Sequence, residues 1–191
     1  FFSWWGAVLW CLIVGPAVLV GAAHWSDLTS NLIDRVTAPQ NLVLLWLLFP
    51  VIKALHEFGH AFAVKVFGGE VHDMGIMLLV LSPVPYVEAS ASSAFANKWQ
   101  RVVVGAAGMI VELVLAAMAV YVWVSVEPGT VRTLAYNTIF IAGISTVVFN
   151  ANPLMRFDGY YILADVIEIP NLRQKATTIV QRKLGKWLLG L

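Results

Sequence analysis

A short ionisable segment inside a long apolar run is the feature that most constrains this chain. Residues 53–61 read Lys-Ala-Leu-His-Glu-Phe-Gly-His-Ala, and the apolar run around them extends from Leu42 to Phe67. As a helix, this run is long enough to cross a bilayer, which takes about 20 apolar residues. Ionisable side chains near the middle of such a helix cost on the order of 2.5–3.5 kcal/mol each, so they indicate a functional site.

The spacing of these ionisable side chains is typical of a metal site. His56 and His60 are four residues apart, so a helix places both imidazoles on one face, where they can bind one metal ion. Glu57 lies about 100° further round the helix, within reach of a water molecule on that metal. Zinc prefers nitrogen and carboxylate ligands and brings the pKa of a bound water to about 7. We therefore predict a zinc site with Glu57 as the general base.

The alternative is a pair of core histidines whose nitrogens are satisfied by backbone carbonyl groups. That alternative leaves a buried glutamate and two buried histidines without a reason to lie at this depth. The pattern His-Glu-x-x-His is also rare by chance in a chain of this length and composition. The metal site is therefore the interpretation that we favour.

A later segment offers the third ligand that a zinc site needs. Residues 149–161 read Phe-Asn-Ala-Asn-Pro-Leu-Met-Arg-Phe-Asp-Gly-Tyr-Tyr and follow the last long apolar run. Asp158 precedes a glycine, and a turn there can aim its carboxylate back toward the membrane. Asn150 and Asn152 can donate hydrogen bonds, and Pro153 breaks the helix so that loose backbone lines a cavity. An ordinary Asp-Gly turn at the membrane surface is the alternative for Asp158.

Together the two motifs resemble those of a known family. His-Glu-Phe-Gly-His in a membrane helix, followed by Asn-x-x-Pro-x-x-x-x-Asp-Gly at residues 150–159, resembles the site-2 protease family of intramembrane zinc metalloproteases. The second motif, with Ile-Pro-Asn-Leu-Arg at residues 169–173, is similar to bacterial members associated with export-type membrane assemblies. The resemblance covers residues 42–173. It implies a small sheet beside the active site, a zinc ligand set of His56, His60 and Asp158, and Glu57 as the catalytic base.

In one helix the chain departs from the family pattern. Many relatives carry a Gly-Pro-x-x-Asn-like element in the third membrane helix, whereas residues 105–112 read Gly-Ala-Ala-Gly-Met-Ile-Val-Glu. The small residues favour close helix packing. Glu112 either faces the catalytic cavity or is a protonated or hydrogen-bonded carboxyl group. Lys53, one turn before His56, either pairs with a carboxylate, stabilises charge in the transition state, or extends into a wet cavity. The residues assigned to substrate binding or transition-state support are Lys53, Glu112, Asn150 and Asn152.

Composition places the whole chain in a membrane. Of its 191 residues, 60% are hydrophobic and 12% are charged, whereas soluble domains are about half apolar and about a quarter charged. No basic and aromatic pattern suggests a nucleic-acid partner. The fold class that we predict for residues 1–191 is a single all-α membrane metalloprotease-like domain. Its predicted elements are transmembrane helices at about 2–23, 42–67, 99–126 and 131–150, a β-hairpin or re-entrant segment at 70–88, and a C-terminal amphipathic helix at 171–191.

The predicted hairpin has its turn at Ser82-Pro83, because serine and proline favour turns. The apolar part of residues 70–88 is too short to span a bilayer. A free strand edge there could hold an extended segment of a substrate by β-augmentation.

Charge distribution predicts the orientation. With helices in these positions, one side of the membrane holds most of the basic residues, and the positive-inside rule makes that side cytoplasmic. The N-terminus and the active-site side are then cytoplasmic, and the resemblance to bacterial members of the family implies a bacterial inner membrane. The basic residues on that side are Lys65, Lys98, Arg101, Arg156 and those of the tail, and the opposite side holds Arg35 and Arg132.

The sequence thus predicts an intramembrane zinc endopeptidase. Its expected partners are a membrane-protein substrate with a transmembrane helix, the lipid bilayer, and a larger membrane complex or adaptor subunit. A non-catalytic metalloprotease-like subunit with a structural or export role is the alternative. A transporter or metal channel is disfavoured, because the motif is not repeated in a second half of the chain.

Overall fold

A computed structural model describes residues 3–169 and 171–189, and only the course of the backbone at residues 184, 186, 188 and 189. Within these residues the chain forms eight α-helices and one two-stranded sheet. The elements are α1 (Trp4–Ala23), α2 (Trp25–Thr29), α3 (Leu32–Thr37), α4 (Pro39–Val66), β1 (Met74–Leu79), β2 (Ser82–Val87), α5 (Lys98–Ser125), α6 (Thr130–Thr138), α7 (Asp158–Val166) and α8 (Leu172–Leu189). A 3-10 helix, Ser90–Ala94, precedes α5, and α6 continues as a π-helix, Ile139–Asn150.

Four helices in the described part of the chain are long and apolar enough to cross a membrane. They are α1, α4, α5, and α6 together with its π-helical continuation. The bounds of these helices agree with those of the four predicted transmembrane helices to within a few residues, and the largest difference is that α4 begins at Pro39. The predicted first span starts at Phe2, which lies outside the described residues, as do Pro170 and the last two residues of the predicted tail.

Local sequence explains where the two central helices begin and end. Pro39 occupies the first turn of α4, where its missing N–H is not needed. Gly68, with φ of 81°, follows the end of α4 in the left-handed region that favours glycine. Asn97 caps α5, and its side chain accepts a hydrogen bond from the N–H of Trp99 at 2.9 Å.

Helix α5 lies at the centre of the bundle and contacts α1, α4, α6 with its π-helical continuation, and α7. Small side chains line these contacts, with Ala117 beside Ala17 of α1 and Ala107 beside Ala63 of α4. Small residues let helix backbones approach closely, which is how helices associate where no water drives them together.

Helices α4 and α5 approach each other closely at Gly59. A Cβ atom on this glycine would lie 2.7 Å from the carbonyl oxygen of Ala107 and 3.0 Å from Cγ2 of Val111. The backbones therefore meet at the level of the two histidines, and this contact sets how far the imidazoles stand from α5.

The predicted turn of the hairpin is wrong. Strands β1 and β2 are antiparallel in a register that runs from Met74 opposite Val87 to Leu79 opposite Ser82. The turn is formed by Val80 and Leu81, whose φ values are 49° and 64°. A two-residue loop with positive φ at both positions matches the twist of the strands. The strand pairing therefore places the turn at Val80-Leu81, although serine and proline are the more common turn residues.

Apolar side chains are exposed at the hairpin tip. Leu78, Val80 and Leu81 are 77%, 93% and 86% exposed. Such a concentrated apolar surface suits contact with lipid or with another protein rather than with water.

The segments outside the four long helices are short or peripheral. Residues 24–40 include the short helices α2 and α3. Helix α8 is exposed from Arg173 to Lys183, and it joins α7 through a hydrogen bond from the N–H of Arg173 to the hydroxyl of Tyr160, at 3.0 Å.

Replacing Gly59 by alanine is expected to lower the free energy of unfolding by about 1–3 kcal/mol, because the new methyl group forces α4 and α5 apart. The measurement is the apparent melting temperature of the purified protein in detergent with a chelator present, so that metal binding does not contribute.

Gly21→Ala is the matched control, because a Cβ atom on this helical glycine meets nothing within 4 Å. It should leave stability unchanged or raise it by about 0.5–1 kcal/mol. Equal melting temperatures for the two variants would contradict the close approach at Gly59.

Candidate metal centre

The structure brings two imidazoles and one carboxylate together. His56 and His60 project from α4, and Asp158 is the first residue of α7. Nε2 of His56 lies 3.1 Å from Nε2 of His60 and 3.1 Å from Oδ2 of Asp158, and Nε2 of His60 lies 3.6 Å from the same oxygen. In the part of the chain that the structure describes, this is the group of three side chains placed to hold a metal ion.

Hydrogen bonding sets the protonation of the imidazoles. Nδ1 of His60 lies 2.7 Å from the carbonyl oxygen of Val104, and because a carbonyl only accepts, Nδ1 carries the proton. Nδ1 of His56 lies 3.4 Å from Oε1 of Glu112, which is within ion-pair range although the geometry is not that of a hydrogen bond. Carboxylates face both nitrogens of His56, since its Nε2 lies 3.1 Å from Oδ2 of Asp158. When the proton of neutral His56 lies on Nδ1, toward Glu112, both Nε2 atoms direct lone pairs into the cluster.

Three acceptor atoms thus converge where the described residues supply no donor. Oδ2 of Asp158 is buried without a hydrogen-bond partner. Lone pairs this close repel one another unless a cation lies among them. Tetrahedral zinc, with bonds of about 2.0–2.1 Å, separates neighbouring ligand atoms by roughly 3.3 Å, and the observed separations are 3.1–3.6 Å. The residues fit a divalent ion that takes imidazole and carboxylate ligands.

Asp158 is the most accessible of the three side chains. Its side chain is 23% exposed, whereas those of His56 and His60 are 5% and 9% exposed. The cluster is therefore open to its surroundings on the side of Asp158.

A tight turn returns Asp158 to the histidines. The π-helix ends at Asn150, and Pro153 follows in the turn that leads to α7. A Cβ atom on Gly159 would lie 2.5 Å from the carbonyl oxygen of Ala151, so only glycine allows α7 to start this close to the end of the π-helix. Asp158 also lies in the first turn of α7, where the helix dipole favours a negative charge.

A buried carboxylate supports His56 from behind. Glu112 is fully buried on α5. Its Oε1 accepts a hydrogen bond from Nζ of Lys53 at 2.6 Å, and its Oε2 accepts one from Nδ2 of Asn150 at 3.0 Å and one from the hydroxyl of Thr146. A buried charge is tolerated when it is paired and hydrogen-bonded in this way. Of the alternatives that the sequence left open, Lys53 pairs with a carboxylate and Glu112 is hydrogen-bonded beside His56.

The other predicted site residues lie around the cluster rather than in it. Asn150 bonds to Glu112, as above. Asn152 accepts a hydrogen bond from the N–H of Leu154 at 2.9 Å within the turn. Glu57 is half-buried, and its Oε2 accepts a hydrogen bond from the N–H of Val87 in β2 at 3.1 Å. Among the described residues, no hydrogen bond joins Glu57 or Asn152 to the three side chains of the cluster.

Several contributors were not predicted. The imidazole of His56 occupies the space that a Cβ atom on Gly108 would fill, so this glycine makes room for the ring. The sequence marks Gly108 only as one of four consecutive small residues. Three further contributors carry no sequence signal, because their roles depend on which helices are neighbours. They are the carbonyl of Val104, the hydroxyl of Ser145, which lies 3.0 Å from Nζ of Lys53, and the hydroxyl of Thr146.

Comparison of the chain with family models, with curated proteins and with solved structures found no match. The resemblance to site-2 proteases therefore stays an interpretation of the two motifs, and the geometry above is independent of it.

Alanine in place of His56 or Asp158 is expected to abolish stoichiometric metal binding, because two remaining ligands cannot hold a divalent ion in competition with water. The measurement is elemental analysis of the purified variants beside the wild-type protein, for which we expect one ion per chain.

His72→Ala is the matched control, because this imidazole is 67% exposed beside Glu70 and remote from the cluster in sequence. It should keep the metal. Full metal occupancy in His56→Ala or in Asp158→Ala would refute the ligand assignment.

Glu112→Gln should weaken metal affinity by roughly 10–100-fold, because His56 loses the carboxylate that supports it.

Proposed function

We propose that this chain is an intramembrane zinc metalloprotease that hydrolyses a peptide bond in or near a transmembrane segment of another membrane protein. The observation that carries the proposal is the convergence of two imidazole nitrogens and a carboxylate oxygen inside a bundle of membrane-length helices. Ionisable groups at this depth are costly, and hydrolysis of a peptide bond is a use for them that also explains the adjacent Glu57.

The residues divide the work of such a reaction. When bound by His56, His60 and Asp158, zinc supplies Lewis acidity toward a carbonyl group and makes water easier to deprotonate. Glu57 is adjacent to His56 on α4 and accepts the proton of the attacking water, then returns it to the leaving amine. Glu112, held by Lys53, keeps the ring of His56 in the orientation that presents Nε2 to the ion.

The position of Glu57 suits a base that must stay oriented. Its Oε2 is fixed by the N–H of Val87 at 3.1 Å, and no hydrogen bond to its Oε1 is formed by the described residues. One oxygen is thus anchored to the hairpin, and the other remains able to accept a proton.

The hairpin supplies an edge for an extended substrate. The N–H of Glu88 donates to the carbonyl of Asp73 at 2.9 Å, so this pair is hydrogen-bonded across the hairpin. Bonded and non-bonded pairs alternate along antiparallel strands. In the observed register, the backbone groups that face away from the partner strand therefore belong to Met74, Ile76 and Leu78 on β1, and to Pro83, Pro85 and Val87 on β2.

The two edges differ in what they can bind. On β2, the prolines have no N–H, and the N–H of Val87 is bound to Glu57. This strand also packs against α4. On β1, the three N–H groups and their carbonyls are all free to pair. We therefore assign strand addition by an unwound substrate segment to the edge of β1.

For orientation we propose that the N-terminus and the active-site side are cytoplasmic, in a bacterial inner membrane. Support comes from the predominance of basic residues on that side. Exposed Arg173, Lys175, Arg182 and Lys183 on α8 suit an anionic cytoplasmic leaflet.

The second candidate is a non-catalytic subunit that keeps the fold and the metal within a larger membrane assembly. The projecting helix α8 and the exposed apolar hairpin tip favour it, because both present surface that the described chain does not cover. A protein that binds zinc but cleaves no membrane segment would support this candidate.

Glu57→Gln is expected to keep the metal and to lower the cleavage rate by about 10²–10⁴-fold, because the amide cannot accept the proton of water. The measurement is the initial rate of cleavage, in proteoliposomes, of a library of single transmembrane segments flanked by two epitope tags.

Glu70→Gln serves as the control, because its side chain is 74% exposed, and it should cleave at the wild-type rate. An active Glu57→Gln protein would show that another group is the base. A wild-type protein that holds zinc and cleaves no segment of the library would favour the non-catalytic subunit.

Ile76→Pro is expected to raise the KM for a cleaved segment several-fold while leaving zinc content unchanged, because it removes one outward N–H from the edge of β1 without breaking the hairpin ladder. Ile76→Val, which keeps this N–H, is the control. An unchanged KM in the proline variant would argue against strand addition at this edge.

A further inference from the structure

A second polar site lies at the other end of the bundle. A cavity of about 710 Å³ is formed between the segment around α2 and α3, the start of α4, the end of α5 and the start of α6. Asn41 in its wall and His56 of the metal cluster are both on α4 and 15 positions apart, which corresponds to about 23 Å along the helix. The cavity is therefore separate from the metal centre.

Two arginines in the cavity wall are held in place by aromatic rings. Cζ of Arg35 lies 5.4 Å from the ring centroid of Tyr136, and Cζ of Arg132 lies 4.7 Å from that of Trp123. Arg35 also donates hydrogen bonds to the backbone carbonyl of Asp27 at 3.1 Å and to the hydroxyl of Ser30 at 3.3 Å. Stacking of this kind orients a guanidinium group before a ligand arrives.

These arginines carry charge that no carboxylate neutralises by direct contact. In the part of the chain that the structure describes, neither guanidinium forms an ion pair. Asp27 also lines the cavity, so two positive charges and one negative charge face it. The balance favours an anion.

Two helix N-termini add to the positive potential. Helix α4 follows Ala38 and α6 follows Gly129, and neither residue provides a side-chain cap. Both residues line the cavity. The uncapped first turn of α6 presents free N–H groups. At the start of α4, Pro39 has no N–H and the N–H of Asn41 donates to the carbonyl of Ala38 at 2.8 Å, so α4 contributes mainly the positive end of its dipole.

A chain of amides leaves one buried acceptor without a donor. Nδ2 of Asn41 donates to the carbonyl of Arg35 at 2.8 Å, which fixes the orientation of this amide. Its Oδ1 accepts from Nδ2 of Asn137 at 2.5 Å, so the orientation of Asn137 is fixed as well. Asn137 is fully buried in the cavity wall, and no described residue donates a hydrogen bond to its Oδ1. A ligand that matches this wall therefore carries a hydrogen-bond donor as well as an anionic group.

The surroundings place the cavity at headgroup depth. It lies at the ends of three membrane-length helices. Trp25 on α2 and Ile33 on α3, each two positions before a residue of the cavity wall, are 66% and 74% exposed. Indole rings prefer the membrane–water interface, where phospholipid headgroups lie.

We propose that this cavity binds the headgroup of an anionic phospholipid of the phosphatidylglycerol type. The phosphodiester lies between Arg35 and Arg132, because guanidinium groups form paired hydrogen bonds with phosphate oxygens. The glycerol hydroxyls supply the donor that Asn137 lacks. This site is independent of the chemistry of the metal centre.

The test is native mass spectrometry of the purified full-length chain with equal amounts of short-chain phosphatidylglycerol and phosphatidylcholine. We expect the wild-type protein to retain phosphatidylglycerol in preference. Arg35→Gln and Arg132→Gln should each weaken its retention by roughly ten- to a hundredfold, the range expected for loss of a charge-assisted hydrogen bond. Arg132→Lys should also weaken it, because lysine keeps the charge but not the paired geometry.

Lys65→Gln is the control, since it removes one exposed positive charge from the far end of α4 and should not change lipid retention. Metal content of the arginine variants reports whether they fold. If the variants do not fold, the test is the apparent melting temperature of the wild-type protein. Phosphatidylglycerol should raise this temperature and phosphatidylcholine should not.

Four results would overturn the proposal. The first two are equal retention of the two lipids and an equal loss of retention in Lys65→Gln. The third is full displacement of the lipid by millimolar inorganic phosphate, which would identify the site as one for a free anion. The fourth is retention of phosphatidylethanolamine, tested in place of phosphatidylcholine, as strongly as phosphatidylglycerol, because the headgroup would then not need to be anionic.

Discussion

Mutual repulsion among three converging acceptors is the constraint on which the rest of this structure depends. Two imidazole nitrogens and a carboxylate oxygen lie 3.1–3.6 Å apart, and both rings and this oxygen are buried. A shared cation stabilises such an arrangement, and the structure around it must hold these groups together against their tendency to separate. Gly59 and Gly108 bring α5 against the histidines, and Gly159 brings α7 back from the other side.

The second element of the architecture is the polar network centred on Glu112. It joins α4 through Lys53, and the π-helix through Ser145, Thr146 and Asn150. Within a membrane, apolar contacts between helices gain little over contacts with lipid, so hydrogen bonds of this kind fix which helices are neighbours. The widened turns of a π-helix, which are common at functional sites, present Thr146 and Asn150 to the same carboxylate oxygen. One network thus fixes both the helix packing and the orientation of His56.

Sequence reasoning reached the parts of the molecule that short-range patterns encode. The four-residue spacing of His56 and His60 predicts that one helix carries both on one face, and the apolar runs predict four long helices. The structure shows both features. The role of Glu112 could not be resolved, because its partners are 34 to 59 positions away in sequence. The turn at Val80-Leu81 was missed, because strand register overrode the local preference for serine and proline. The second cavity left no pattern at all, since its wall is assembled from several separate segments.

The bond between Glu57 and Val87 has a consequence for regulation. Glu57, the proton acceptor of the proposed reaction, belongs to the helical bundle, but one of its carboxylate oxygens is bound by a hairpin whose tip is apolar and exposed. A bilayer, a neighbouring subunit or a bound polypeptide that shifts this hairpin also turns the carboxylate of Glu57. In the proposed protease, the carboxylate of Glu57 would then be oriented for catalysis only when a partner contacts the hairpin, and a molecule without that contact would be inactive.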